Sequence, residues 1–224
     1  MKQINLAGDL RKARTRTRTR PDGGRTWSWI GRALFEAALI VFAVVLGFMV
    51  TAWREDADSV ARGEAALERI TAELRANRET VAGILPYHQK VADALARLRK
   101  TPPDTPLFST LFGADLPTPG VAPHGVGDLY LHDEAWTTAL SRDALARVDF
   151  ELVQAIALVY GGAEFGAAAS WRTILEQIGE REAFAPDHDG VALTRMSYTY
   201  QELVAQERFL IRRYDEVLAK LDER

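Results

Sequence analysis

The chain has no cysteine, which excludes a disulfide framework, a zinc–thiolate site and thiol-based nucleophilic catalysis. Histidine is scarce: His88, His124, His132 and His188 are the only four. None stands with a glutamate at the i, i+4 spacing of a helical zinc site. The GxSxG, phosphate-loop and GxGxxG fingerprints are also missing. No stretch alternates apolar and polar residues over a useful strand length. These absences leave a helical protein without a catalytic constellation, for which no metal or cofactor is expected.

What is present is unevenly distributed. The formal net charge of −3 and the mean hydropathy of −0.14 average two unlike parts. Residues 1–53 hold 9 basic and 3 acidic side chains, whereas residues 54–224 hold 19 and 28. At the junction, Ala37 to Trp53 reads AALIVFAVVLGFMVTAW without a charge, and Ala33 to Phe35 extend the apolar pattern backwards. A helix over Ala33–Trp53 spans roughly 31 Å, close to the ~30 Å hydrocarbon core of a bilayer. Trp27, Trp29 and Trp53 flank it, where indoles settle at the headgroup layers. A cleavable signal peptide, with Val50 and Ala52 ahead of a cut at Trp53, is the rival reading. It fits less well, because an h-region runs to only ~7–15 residues and helical composition continues past Trp53. Nine Lys and Arg side chains precede the span, but only Arg54 and Arg62 lie in the first dozen residues after it. The positive-inside rule then places the N-terminus in the cytoplasm and the larger part outside, as in a bacterial inner-membrane protein with a periplasmic domain.

The organisation expected is a basic disordered tail over 1–28, an anchor over 29–53 and an exported helical domain over 54–224. The tail contains RKARTRTRTR, which has no apolar face to bury. Attraction to anionic lipid, ~1 kcal/mol per basic residue, explains it better than nucleic acid, because no aromatic residues interleave the arginines. Within the anchor, Glu36, Ala43, Gly47 and Thr51 fall on one stripe, and small residues there let helices approach closely. The stripe is a candidate contact for a second copy or for another membrane protein. Glu36 is expected to pair with Arg32 one turn back.

After Trp53 the period stays helical. Val60, Leu67, Leu74 and Val81 recur every seven residues, with Gly63, Ile70, Asn77 and Ile84 at complementary positions, giving a stalk seam over four heptads. Pro86 is expected to interrupt that helix, and a shorter one follows over His88–Lys100. Residues 101–133 form a proline- and glycine-rich loop whose Phe108, Leu111, Phe112, Leu129 and Tyr130 suggest that it packs down. Further helices are expected from Asp133 to Leu140, after N-caps at Ser141 and Asp149, and up to a stop at Gly161-Gly162. Another carries Trp171, Ile174, Leu175 and Ile178 on one face. The last carries Leu203, Leu210 and Val217 alternating with Tyr200, Tyr214 and Leu221. The first and last heptad-like helices should pack together. The fold class is all-α: one N-terminal transmembrane helix continuing into a stalk and an exported antiparallel bundle of about five helices.

Weaker candidates remain. His124, Asp128, His132 and Asp133 could converge on a metal, although ordinary loop roles explain them better. Asp187-His188-Asp189-Gly190 lacks the further acids of a calcium loop. Glu176, Glu180 and Glu182 fit a solvated face. Trp136, Tyr160, Trp171, Tyr200 and Tyr214 could line a pocket, but such rings more often fill a bundle core.

Glu36-Ala-Ala-Leu-Ile-Val-Phe-Ala-Val-Val-Leu-Gly, Thr51-Ala52-Trp53-Arg54-Glu55, Leu67-Glu68-Arg69-Ile70 and Glu73-Leu74-Arg75-Ala76-Asn77-Arg78 resemble the start of a broad group of uncharacterised bacterial single-pass membrane proteins. Ala135-Trp136 through Leu145, and Asp149 to Tyr160, are similar to the middle section of that group. The resemblance covers about a third of the chain and implies an inner-membrane location, with no catalytic residues to carry over. Two roles are expected: a non-enzymatic interaction, scaffold or accessory subunit, or an exported ligand-sensing domain that signals through a partner subunit. The partners are the lipid bilayer and either a second copy or another membrane protein.

Overall fold

The computed structural model describes residues 25–113, 120–180, 184–185 and 189–224. The basic tail up to Gly24, Glu182 and the Asp187-His188 pair lie outside the described residues. The chain divides into two compact units, Met1–Arg54 and Glu55–Arg224. Among the described residues the structure is helical throughout, with no strand.

In the first unit, helix α1 (Arg25–Lys100) runs up to Arg54 with every large apolar side chain from Trp29 to Trp53 exposed. A helix that is apolar all round exposes its side chains to water at a cost, and such helices are found in protein cores or in membranes. It is long and apolar enough to cross a membrane, a property that signal sequences share.

The second unit is built on the rest of α1 and the last helix, α6 (Asp189–Asp222), which run antiparallel. The heptad residues explain the pairing. Leu67, Ile70, Leu74, Asn77 and Val81 from α1 are buried, as are Tyr200, Leu203, Leu210, Tyr214 and Val217 from α6. Polar contacts mark the register: Arg75 meets Asp222, Arg78 Nε donates to Asp215 Oδ1 at 2.7 Å, Arg208 meets Gln89, and Arg99 lies over the Tyr198 ring at 4.7 Å. Exposed pairs of this kind contribute at most ~1 kcal/mol each, so the buried seam carries the stability. Val60, at the start of the expected seam, is exposed.

Pro86 does not break α1, contrary to the expectation from sequence. Its ring is exposed, so the freed carbonyl of Ala82 can reach water, while Val81, His88, Val91 and Leu95 on the other side are buried. That burial offsets the ~3 kcal/mol that an interior proline costs.

Shorter helices close the core. α2 (Leu107–Phe112) lies inside the stretch expected to be loop and buries Leu107 and Leu111. α3 (Glu134–Ser141) buries Trp136 and Ala139. Ser141 does not cap a new helix; it ends α3, and its hydroxyl donates to Thr138 O at 2.9 Å. Asp149 caps α4 (Phe150–Gly162) as expected, with Oδ1 accepting from Leu152 N at 2.9 Å. Gly161-Gly162 does not end the helix. The chain passes through a five-residue π turn, Ala163–Ala167, directly into α5 (Ala168–Gly179). At Gly166 an added Cβ would lie 2.7 Å from Gln206 Oε1 of α6, so the turn passes close to that helix. Trp171 and Ile178 are half-buried and Ile174 is fully buried, but Leu175 is exposed.

Candidate functional site

The four anchor candidates all lie in the first unit. Arg32 Nε stands 3.8 Å from Glu36 Oε1, and Thr51 Oγ1 donates to Gly47 O at 3.0 Å. Glu36, Ala43, Gly47 and Thr51 are exposed, and a Cβ added at Gly47 would have no neighbour within 4 Å. The stripe is therefore an open surface within the chain.

In the second unit, the chemistry gathers where the irregular segment 121–133 crosses α1. Side chains from the helices pin its backbone at four places. Tyr87 Oη donates to Gly125 O at 2.6 Å, His88 Nε2 lies 2.8 Å from Val126 O, and Trp171 Nε1 donates to Gly127 O at 2.9 Å. Asn77 then grips His132 twice: its Nδ2 donates to the carbonyl at 2.6 Å, and its Oδ1 accepts from the amide at 2.8 Å. Each bond satisfies a backbone group that has no helix or sheet ladder to join, which is why a long non-helical segment can be partly buried here.

Gly127 fits because nothing larger does. It has φ +81°, and a Cβ there would lie 2.9 Å from Ile84 Cδ1 and 3.2 Å from His88 Nε2. Gly125 also has a positive φ, +69°, but open space around it. Gly125→Ala should therefore cost about 1 kcal/mol from the left-handed backbone alone, and Gly127→Ala about 2–4 kcal/mol once overpacking is added. Guanidinium unfolding midpoints of the two variants test this, and equal losses would contradict it.

His88 sits at the centre of this arrangement. Its Nδ1 lies 2.6 Å from Glu207 Oε1 of α6, and both side chains are fully buried. The Val126 carbonyl can only accept, so Nε2 carries a hydrogen. Glu207 Oε2 and Tyr200 Oη are buried without a hydrogen-bond partner among the described residues. Burial raises the pKa of Tyr160, Tyr200 and Tyr214, so all three are neutral phenols over the ordinary pH range. Glu73 raises that of Tyr160 further by accepting its hydroxyl.

Beside the pinned segment lies a cleft of about 690 Å³, walled by Leu129–Thr137 on one side and by α4, the π turn and α5 on the other. Its floor is the stack of Trp136 on Tyr160, with ring centroids 5.3 Å apart and planes 11° from parallel. Glu73 of α1 holds both helices that carry this stack. Its carboxylate accepts from Ala135 N at 2.8 Å and Trp136 N at 3.4 Å, amides in the first turn of α3 that have no helix carbonyl to bond, and from Tyr160 Oη at 2.6 Å. Three donors on one carboxylate make a rigid support.

Of the rings flagged in the sequence, Trp136, Tyr160 and Trp171 reach this cleft, while Tyr200 and Tyr214 are core residues of the α1–α6 seam. His124, Asp128, His132 and Asp133 do not converge. His132 Nδ1 pairs with Glu134 Oε2 at 3.2 Å, the His124 ring lies beside Tyr87, and no group of three His, Asp or Glu could hold a metal among the described residues. Glu73, His88, Trp171 and Glu207 were missed as polar supports. His88 and Glu207 are 119 positions apart, and only the antiparallel register brings them together. Compared with protein-family models, curated proteins and solved structures, the chain matches none.

Proposed function

We propose that the chain is a bitopic protein of the bacterial inner membrane, of the single-pass group it resembles, whose periplasmic bundle acts as a non-enzymatic interaction or accessory subunit. The observation that carries this reading is the outer face of α4. A helix in a self-contained bundle buries one face and solvates the other. Here Leu152, Ile156 and Val159 fill the buried face, yet Phe150, Leu158 and, just beyond in the π turn, Phe165 are 75%, 55% and 78% exposed. No charged residue falls between Glu151 and Glu164. Apolar side chains clustered on an outer face mark an interaction surface.

The apolar first unit supports an anchor, and the nine basic residues ahead of it support a cytoplasmic N-terminus. The Ala43, Gly47 and Thr51 stripe supports a second contact inside the bilayer, with another copy or with another membrane protein.

The cysteine-free chain makes this testable without background. A thiol-reactive photocrosslinker at Phe165→Cys, Gly47→Cys or Ala205→Cys, in native membranes, should give discrete adducts at the first two and none at Ala205, which is exposed but lies on α6. Adducts of equal yield at all three positions, or none at any, would reject an interaction role.

A further inference from the structure

We propose that the cleft between residues 129–137 and the π turn binds a small zwitterion with a flat apolar body, of the size of an aromatic amino acid or dipeptide. The reading does not depend on the membrane-anchored interaction role, and either can fail without the other.

Size and preorganisation come first. About 690 Å³ falls within the ~300–1,000 Å³ of typical ligand sites. The walls are fixed from behind: Asn77 holds His132, Trp171 holds Gly127, and Glu73 holds Trp136 and Tyr160. A ligand would meet a surface already ordered, so little of its binding energy goes into ordering the protein. The opposite wall contains the π turn, a rare form of helix that is frequent at functional sites.

The charges then select the ligand. Asp133 occupies the N-cap position of α3, where an aspartate normally accepts from the helix amides. Its side chain makes no such bond, because Glu73 of α1 has taken the amides of Ala135 and Trp136. Asp133 lines the cleft, with its side chain not engaged as a cap. Across from it, Arg172 lines the same cleft, its guanidinium placed by donating from one terminal nitrogen to the Glu164 carbonyl at 3.2 Å. The guanidinium has five N–H donors in a fixed fork, so that bond leaves others for a carboxylate.

Asp133 on one wall, Arg172 with Glu164 beside it on the other, and a ring-lined floor between them match an ammonium held by the acids, a carboxylate held by the guanidinium and a planar body. A cation alone would leave Arg172 unmatched and repelled, and an anion alone would do the same to Asp133. Each charge-assisted hydrogen bond to an exposed partner is worth up to about fivefold in affinity.

The test uses the full chain in lipid nanodiscs and three probes: L-phenylalanine, 2-phenylethylamine, which lacks the carboxylate, and 3-phenylpropionate, which lacks the ammonium. Ligand-observed NMR titrations should give saturable binding of L-phenylalanine, with each analogue about fivefold weaker. Arg172→Gln should erase the advantage over 2-phenylethylamine only, and Asp133→Asn should reduce the advantage over 3-phenylpropionate only, since Glu164 also lines the cleft. Both positions are exposed, so the variants should keep the wild-type melting temperature. No saturation by about 10 mM, which corresponds to less than ~3 kcal/mol of binding, would overturn the proposal. So would equal affinity for all three probes, binding of the amine alone, or preferences unchanged in both variants.

Discussion

Glu207→Leu is expected to destabilise the second unit by about 3–5 kcal/mol, because removing one member of a buried pair leaves the other without a partner in a place that water cannot reach. His88 would then keep its Nε2–H bond to Val126 and lose the group facing Nδ1. His88→Leu should cost as much, since it orphans both Glu207 and the Val126 carbonyl. The double leucine variant should recover part of the loss, as two apolar side chains replace a polar pair of similar volume. Glu207→Gln separates charge from hydrogen bonding. A neutral His88 with hydrogen on Nε2 still donates to Val126, and the glutamine amide can donate to Nδ1. That variant should therefore lose only about 1 kcal/mol. Denaturant titration followed by tryptophan fluorescence measures all four. If Glu207→Gln is as damaging as Glu207→Leu, the pair works through its charge; if neither matters, the buried contact does not carry the stability assigned to it.

Alkaline pH should unfold the bundle over a narrow range. Tyr160, Tyr200 and Tyr214 are buried, and burial raises their pKa above the ordinary 10.0. A raised phenol pKa means that the unfolded chain gives up its proton first. Stability is full below pH 10 and falls as pH rises beyond it. Each group contributes about 1.4 kcal/mol per pH unit in that range, so three together remove about 4 kcal/mol by pH 11. That is a large part of the 5–15 kcal/mol typical of a domain. Unfolding midpoints at pH 8 and pH 11 should show the drop. Tyr200→Phe, which removes a hydroxyl without a hydrogen-bond partner among the described residues, should be nearly neutral at pH 8 and recover about 1.4 kcal/mol at pH 11. A Tyr200→Phe protein with an unchanged alkaline slope would show that Tyr200 is not one of the groups responsible.

The parts of this architecture legible in the sequence are those written at helical period. The seven-residue spacing of Leu67 and Leu74, and of Leu203, Leu210 and Val217, announces two long helices with matching faces. Asp149 announces its own helix start, because a cap is a local contact across three residues. Two punctuation marks misled, and for one reason. Pro86 and Gly161-Gly162 are breakers in an isolated helix, but tertiary burial of their neighbours outweighs a local propensity. Gly-Gly in this setting permits a change of helical pitch in place of a stop.

The candidate site was less visible. Glu73 reads as an ordinary surface acid of a charged helix until α3 and α4 are brought up to it from 62 and 87 positions away. His88 and Asn77 carry no motif, because what they recognise is backbone, and backbone leaves no signature in side-chain spacing. The aromatic residues were visible as rings but could not be sorted into those of the α1–α6 seam and those of the cleft, since both sets obey the same apolar pattern.

The antiparallel pairing of α1 with α6 has a consequence for the order in which the protein is made. His88 leaves the ribosome 119 residues before Glu207. At ~5–20 residues per second, that is roughly 6–24 s during which the face of α1 from Leu67 to Leu95 has no mate. Contacts so distant along the chain are slow to close once both halves exist. A nascent chain carrying a long unmatched apolar ridge is a substrate for holding chaperones, and translation stalled before Leu203 would leave that ridge bare. Helix α6 thus acts as the clasp of the second unit, and losing it would be far more harmful than losing an equal length from the segment between α1 and α3.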